Sequence, residues 1–161
     1  MKCHYIYYRY ELMISIKKIL FVDDDVDDQL LFAEALKELI PVVTYDIANN
    51  GVEAFVYLES AATSDLPSLI FMDLNMPLMN GLQFLEKFQR DERLKHIPLI
   101  VFTTSNSPID LEVTKRLGAR LYITKPSDFI TFKSRIKEAT TIDFSTERFP
   151  VPFYFDDWIS D

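Results

Sequence analysis

The stretch IKKILFVDDDVDDQLL, residues 16–31, sets an apolar run directly against a knot of acid. The run reads as a buried strand. Asp23, Asp24, Asp25, Asp27 and Asp28 follow within six positions. Two carboxylates about 4 Å apart repel by about 1 kcal/mol in water and about 4 kcal/mol at a part-buried site. A fold gains nothing from that repulsion, so a cation is expected where the strand ends. The next question is whether other strands deliver polar groups to the same place.

They do. Leu30, Leu31, Ala33, Ala35, Leu36 and Leu39 recur at near-helical spacing after the acids, and Pro41 follows. Residues 43–48 (VTYDIA) read as a second strand, Asn49-Asn50-Gly51 as a turn, and residues 52–58 as a helix. Residues 69–73 (LIFMD) form a short apolar run that ends in an aspartate. A loop over residues 75–81 leads to a helix marked by Leu82, Phe84, Leu85 and Phe88. Pro98 precedes LIVF (99–102), which ends in Thr103-Thr104-Ser105. Pro108 is placed to open a helix that Gly118 closes. LYIT (121–124) ends in Lys125-Pro126, and Ser127 or Asp128 can cap a last helix to about Ala139. Asp27 or Asp28 is expected to cap the first helix.

Five apolar strands alternating with helices imply a parallel sheet covered on both faces, an α/β architecture. Ligands in such sheets sit outside the carboxyl ends of the strands. Those ends carry Asp23 and Asp24, then Asp73 and Asn75, then Thr103, then Lys125. Three acids meeting at one point fit a hard divalent ion such as Mg²⁺, which takes one or two carboxylates and leaves room for a phosphate oxygen. Asp73 is then both a ligand and a nucleophile. Lys125 supplies a cation for the equatorial phosphoryl oxygens, and Thr103 supplies a hydroxyl donor. The implied chemistry is phosphoryl transfer to Asp73 followed by hydrolysis.

Each residue has a plainer reading alone: an Asp after a strand is usually a cap or turn former, and a Lys-Pro a solvated turn. The order of residue types, each at a strand end, favours the site. Two other motifs compete. Asp23, Asp25, Asp27 and Glu34 fall at calcium-loop spacing, but Asp28 stands where that loop needs glycine, and a strand precedes it. Residues 23–27 also resemble the DxDx[TV] start of haloacid-dehalogenase-type phosphatases, but Asp27 stands at the Thr/Val position and that reading leaves Asp73 unused.

Composition bounds the remainder. The 161 residues suit one domain, and 48% apolar with 26% charged residues is ordinary for a globular protein. A net charge of −8 disfavours nonspecific nucleic-acid binding. No apolar run approaches the roughly 18 residues of a membrane span. Cys3 is the only cysteine, and His4 and His96 are the only histidines, which argues against a disulfide, a zinc site or a Cys–His nucleophile pair. A cytoplasmic monomer or weak dimer is expected. Residues 1–15, with Tyr5, Tyr7, Tyr8 and Tyr10, read as an upstream extension. Residues 141–161, with Phe144, Phe149, Phe153, Tyr154, Phe155 and Trp158, read as an aromatic and acidic tail that packs back on the domain, the alternative being a partner- or dimer-binding arm.

The chain resembles the receiver domain of two-component response regulators over about residues 16–140. ILFVDDD carries the acidic pair, MDLNMPLMNG (72–81) the phosphoacceptor loop, IPLIVFTTS (97–105) the switch threonine, and GARLYITKP (118–126) the switch aromatic and lysine. It is most similar to stand-alone regulators of the chemotaxis and phytochrome-associated types. The resemblance implies a flavodoxin-like, doubly wound (βα)5 sandwich with strand order 2-1-3-4-5. It also implies phosphorylation of Asp73 by a histidine kinase or phosphotransfer protein. Asp24 and Asp73 would bind Mg²⁺ directly, Asp23 through water, and Asn75 by its backbone carbonyl. Lys125 would contact the acyl phosphate, Thr103 would turn toward it, and Tyr122 would change its burial in step. A cis peptide before Pro126 would aim the lysine. Signalling would run through the fourth helix, fifth strand and fifth helix, by an unknown downstream protein or a homodimer, with no DNA-binding or membrane role. Thr104, after the switch threonine, is bulkier than the family's usual residue. The competing readings are a small aspartate-nucleophile phosphohydrolase and a receiver-fold interaction module that is not phosphorylated.

Overall fold

Residues 16–144 and 153–154 are described in a computed structural model. The expected extension over residues 1–15, and the tail aromatics Phe149, Phe155 and Trp158, lie outside the described residues.

The strands are β1 (Lys18–Val22), β2 (Thr44–Ala48), β3 (Leu69–Met72), β4 (Leu99–Thr103) and β5 (Leu121–Thr124). The helices are α1 (Val26–Leu39), α2 (Gly51–Ser60), α3 (Gly81–Phe88), α4 (Pro108–Arg116) and α5 (Phe129–Ala139). All strand pairs are parallel and the order is β2-β1-β3-β4-β5, as the resemblance implies. Successive side chains of a strand point to opposite faces, and both faces here are covered. Ile19 and Phe21 join Phe32 and Leu36 of α1 and Phe132 and Ile136 of α5. Leu20 and Val22 join Phe55 of α2 and Phe84 and Phe88 of α3. Phe21 stacks on Phe32 at 4.0 Å, and Phe102 meets Phe132 edge-on at 5.1 Å. Each such ring contributes about 1.5–3 kcal/mol by leaving water. That packing holds β1, β3 and β4 rigidly, and with them their polar ends.

The sheet has two kinds of edge. β2 is largely exposed, with Asp46 paired to Lys18 at 3.6 Å and accepting from the Tyr57 hydroxyl at 2.7 Å. The apolar letters of VTYDIA therefore mark an edge strand rather than a core strand. Leu121, Tyr122 and Ile123 of β5 are fully buried, and Phe153 and Tyr154 of the tail pack against the core cluster that holds Tyr122.

Two expectations need correcting. The cap of α1 is Asp25, whose carboxylate accepts from the Asp27 and Asp28 amides, because an N-cap must stand before the first helical residue. No described peptide bond is cis, so Lys125-Pro126 is trans, the isomer that X–Pro bonds prefer by about 0.5–1 kcal/mol. Lys125 is fixed instead by its amide, which donates to the Thr103 carbonyl at 2.7 Å.

Candidate functional site

The site begins where β1 stops. The Asp23 amide donates to the Ala48 carbonyl at 3.0 Å, which extends the β1–β2 ladder one residue and fixes Asp23 in the interior. One carboxylate oxygen of Asp23 accepts the Asp25 amide at 3.0 Å, and the other faces Lys125. Asp24 is exposed at the wall of the cleft. The Asp73 amide donates to the Val22 carbonyl at 2.9 Å, so the acid that ends β3 lies beside the acids that end β1. Asp73 Oδ1 accepts the amides of Leu74 at 2.7 Å and Asn75 at 3.4 Å, leaving Oδ2 toward the cleft.

Asp23, Asp24 and Asp73 each offer an oxygen, and these oxygens lie within 4.8 Å of one another. Such an all-oxygen set, two members of it buried, suits a hard divalent cation. The Lys125 ammonium reaches into the same corner. It lies 2.6 Å from Asp23, 2.7 Å from Asp28 and 3.4 Å from Asp73, with 4% of its side chain exposed. Burial pushes the Asp23 carboxyl up to about 6 despite the neighbouring ammonium. Burial also pulls on Lys125, but the Asp73 and Asp23 charges and the Asp23 and Asp28 hydrogen bonds outweigh it and hold the amine above its usual range. A cleft of about 510 Å³ opens here, lined by Asp24, Asp28, Asp73, Asn75, Thr104 and Lys125 among others.

Four of the sequence-identified residues thus meet directly: Asp23, Asp24, Asp73 and Lys125. Asn75 joins them at the cleft wall. Thr103 does not line the cleft. It is fully buried at the end of β4, and its Oγ1 accepts the Ser105 amide at 3.3 Å, while Thr104 takes the wall position. Tyr122 is fully buried, and its hydroxyl donates to the Ser105 carbonyl at 2.9 Å. Burial raises its phenol above the usual range. Sequence reasoning missed Asp28 as a partner of Lys125. An acid in a first helical turn reads as a helix-end charge, and no signal in the sequence separates Asp28 from its neighbouring aspartates. Gly81 is the other support: a Cβ there would lie 2.5 Å from the Asp73 carbonyl oxygen and 2.8 Å from the Leu74 Cα. Only glycine lets α3 start so close to the acid-bearing loop.

A doubly wound sheet with this acidic corner and buried lysine defines a class, and comparison names it: the chain belongs to the response regulator receiver domain family, whose sequence model matches residues 19–137. Such domains act in two-component signalling, taking phosphoryl groups from histidine kinases or phosphotransfer proteins and passing signals to downstream proteins. Among individual relatives, the chain is similar to response regulator Rcp1 of Synechocystis sp., with 33% identity over 112 residues, 68% of this chain and 76% of that protein. Its fold is similar to the phosphorylated cyanobacterial phytochrome response regulator RcpA, with TM-score 0.74, 30% identity and coverage of 85% and 100% of the two chains. It is also similar to the Mn²⁺-bound form of Rcp1, with TM-score 0.70, 28% identity and coverage of 84% and 99%. Receiver domains bind Mg²⁺ or Mn²⁺ at an acidic pocket, and the cluster of Asp23, Asp24 and Asp73 is consistent with that. No described helix is long and apolar enough to cross a membrane.

Proposed function

We propose that this chain is a single-domain response regulator, with its receiver over residues 16–140, that accepts a phosphoryl group on Asp73. The observation that carries the reading is the corner itself: three acids from two strands within 4.8 Å, and a buried ammonium 3.4 Å from Asp73 and 2.6 Å from Asp23. The donor is a phosphohistidine on a histidine kinase or phosphotransfer protein. Asp73 Oδ2 attacks phosphorus, the P–N bond to the histidine breaks, and the imidazole leaves with the bonding pair. Asp23, Asp24, Asp73 and the Asn75 carbonyl are the residues that would hold Mg²⁺, which would screen the incoming phosphoryl oxygens from the acids. Lys125 donates to a phosphoryl oxygen and cancels part of the 1.5–2 negative charges, roughly, that phosphorylation adds. Water then hydrolyses the acyl phosphate, so turnover is limited to this chain's own aspartate.

Thr103 and Tyr122 form the switch. The Thr103 hydroxyl turns from the Ser105 amide toward the phosphoryl group, and the loop after β4 moves with it. Because the Tyr122 hydroxyl is tied to the Ser105 carbonyl in that loop, its burial follows. The α4–β5–α5 face then presents a different surface to a downstream protein or a second copy.

Incubation with acetyl phosphate and Mg²⁺ should add one phosphoryl group by intact mass, and Asp73→Asn should add none. An unchanged mass for the unmodified chain refutes the reading. Lys125→Ala should leave a phosphorylated chain whose partner affinity no longer depends on phosphorylation.

A further inference from the structure

Beyond α5 the tail touches both faces of the sheet. Phe144 packs with the cluster on the α1–α5 face, and the Arg120 guanidinium donates to its carbonyl at 3.0 Å, just ahead of β5. Phe153 and Tyr154 pack with the cluster on the α2–α3 face. Between these two faces lies the outer edge of β5, and the tail pairs with it. The Tyr122 amide donates to the Phe153 carbonyl at 2.7 Å, in a parallel bridge between Tyr122 and Tyr154. The Tyr154 hydroxyl lies 3.2 Å from Thr124 Oγ1, and its ring meets the Tyr122 ring edge-on at 5.9 Å. The Lys115 ammonium of α4 stands 5.8 Å from the Phe153 ring. This is a strand addition, the mode in which folded domains take up extended peptides. It covers β5 and reaches α4, two of the three elements of the α4–β5–α5 face.

We infer that Phe153 and Tyr154 are a built-in inhibitor of the α4–β5–α5 face. While Thr103 is turned from the cleft they hold the β5 edge, and a downstream protein or second copy reaches the face only by displacing them. This deepens the reading of that face given above and rests on it. The docked tail is found together with Thr103 Oγ1 on the Ser105 amide. Ser105 joins the two. Its amide donates to Thr103 at 3.3 Å, and its carbonyl accepts from the Tyr122 hydroxyl at 2.9 Å. Tyr122 carries the tail through its amide and its ring. Drawing Thr103 to a phosphoryl group takes away the first of these bonds and frees the loop that fixes Tyr122 beneath the tail. Phosphorylation therefore weakens docking and uncovers the face. Linkage is reciprocal: a chain whose tail is displaced accepts the phosphoryl group more readily by the same factor.

The occupant is this chain's own tail, bound in cis. Eight residues separate Phe144 from Phe153, and a chain of that length spans up to about 30 Å, enough to round one sheet edge. So short a tether presents its segment at roughly millimolar effective concentration. A free strand of equal intrinsic affinity therefore loses to it until docking is weakened.

The probe is a labelled synthetic peptide of residues 145–161, which carries the tail's own chemistry. Its binding is measured to the full-length chain and to the full-length double variant Phe153→Ala/Tyr154→Ala. The variant, whose edge is open, should bind it at least about 10-fold more tightly. Equal affinities, or a variant that takes up no peptide, overturn the inhibitor. Treating the unaltered chain with acetyl phosphate and Mg²⁺ should raise its peptide affinity about fivefold or more, the lower end of the range typical of coupled sites. Unchanged affinity in a chain shown by mass to be phosphorylated overturns release by phosphorylation. Hydrogen exchange at the Tyr122 amide needs no variant to fold. In the unaltered chain it should run at least about 10-fold slower than in a free peptide, and should quicken on phosphorylation. A Tyr122 amide without protection, or one whose protection is lost on dilution, overturns docking in cis. A chain that gains no phosphoryl group refutes the assignment of Asp73; the comparison without acetyl phosphate then decides the inhibitor by itself.

Discussion

Lys125→Ala removes the cation that Asp23, Asp28 and Asp73 share, and its cost can be worked from the geometry. The ammonium sits 2.6, 2.7 and 3.4 Å from three carboxylates, with 4% of its side chain exposed, against none of Asp23, 8% of Asp73 and 23% of Asp28. An exposed ion pair contributes only about 0–1 kcal/mol. Breaking a buried pair by removing one partner costs about 3–5 kcal/mol, because the other charge stays desolvated and uncompensated. The Lys125 cluster belongs to the second class, so a loss of about 3–4 kcal/mol is expected at pH 7.5 in chelator. Urea denaturation measures it. Two further features identify the cause. Mg²⁺ should recover much of the loss, since a divalent ion compensates the same acids. Lowering the pH to 5 should also shrink it, since protonation of Asp23 removes a charge. A loss below about 1 kcal/mol, or one insensitive to both Mg²⁺ and pH, refutes the account of a buried charge cluster.

Asp23 has its carboxyl pushed up to about 6 from 3.8, so the folded, metal-free chain holds a proton that the unfolded chain releases. Stability from this group therefore falls as pH rises from about 4 to 6, whereas Mg²⁺ affinity rises. Calorimetric titration should show about 10-fold weaker Mg²⁺ binding at pH 5 than at pH 8, and a flat profile argues against Asp23 as part of the metal site. Asp28→Asn removes one of the three negative charges around Lys125 without touching the metal acids. It should weaken Mg²⁺ binding about threefold to tenfold, because Lys125 then competes harder for Asp23 and Asp73; unchanged affinity excludes Asp28 from the site. Gly81→Ala forces the α3 start away from Asp73 and should cost about 2 kcal/mol by denaturant midpoint. Asn80→Ala breaks the capping box with Gln83 and should cost about 1 kcal/mol in the same assay.

The strand ends were legible because a parallel sheet leaves a strong trace. Buried strands such as LIFM and LIVFT read as continuous apolar runs, and the residue after each is polar. Asp23, Asp24, Asp73 and Lys125 could therefore be placed together before any distance was known. Competition among neighbouring acids was not legible. Periodicity cannot say which of five aspartates caps α1, which pairs with Lys125 and which faces solvent; the helix start decides it, and it falls at Val26. Thr103 was identified by type, but its hydroxyl is turned to the Ser105 amide, a local loop bond that residue order does not encode. The pairing of Tyr122 with Phe153 depends on a return of the chain across 31 positions, beyond the reach of any local pattern.

The seating of Phe153 and Tyr154 on β5 also bears on solubility. An apolar strand at the rim of a sheet, with open amide and carbonyl groups, is a template on which foreign strands can add. β2 guards its rim with charge and a tyrosine hydroxyl, whereas β5 is apolar over Leu121, Tyr122 and Ile123 and polar only at Thr124. A mate carried on the same chain meets that rim at a local concentration no bystander matches, so stray strands find their place already taken.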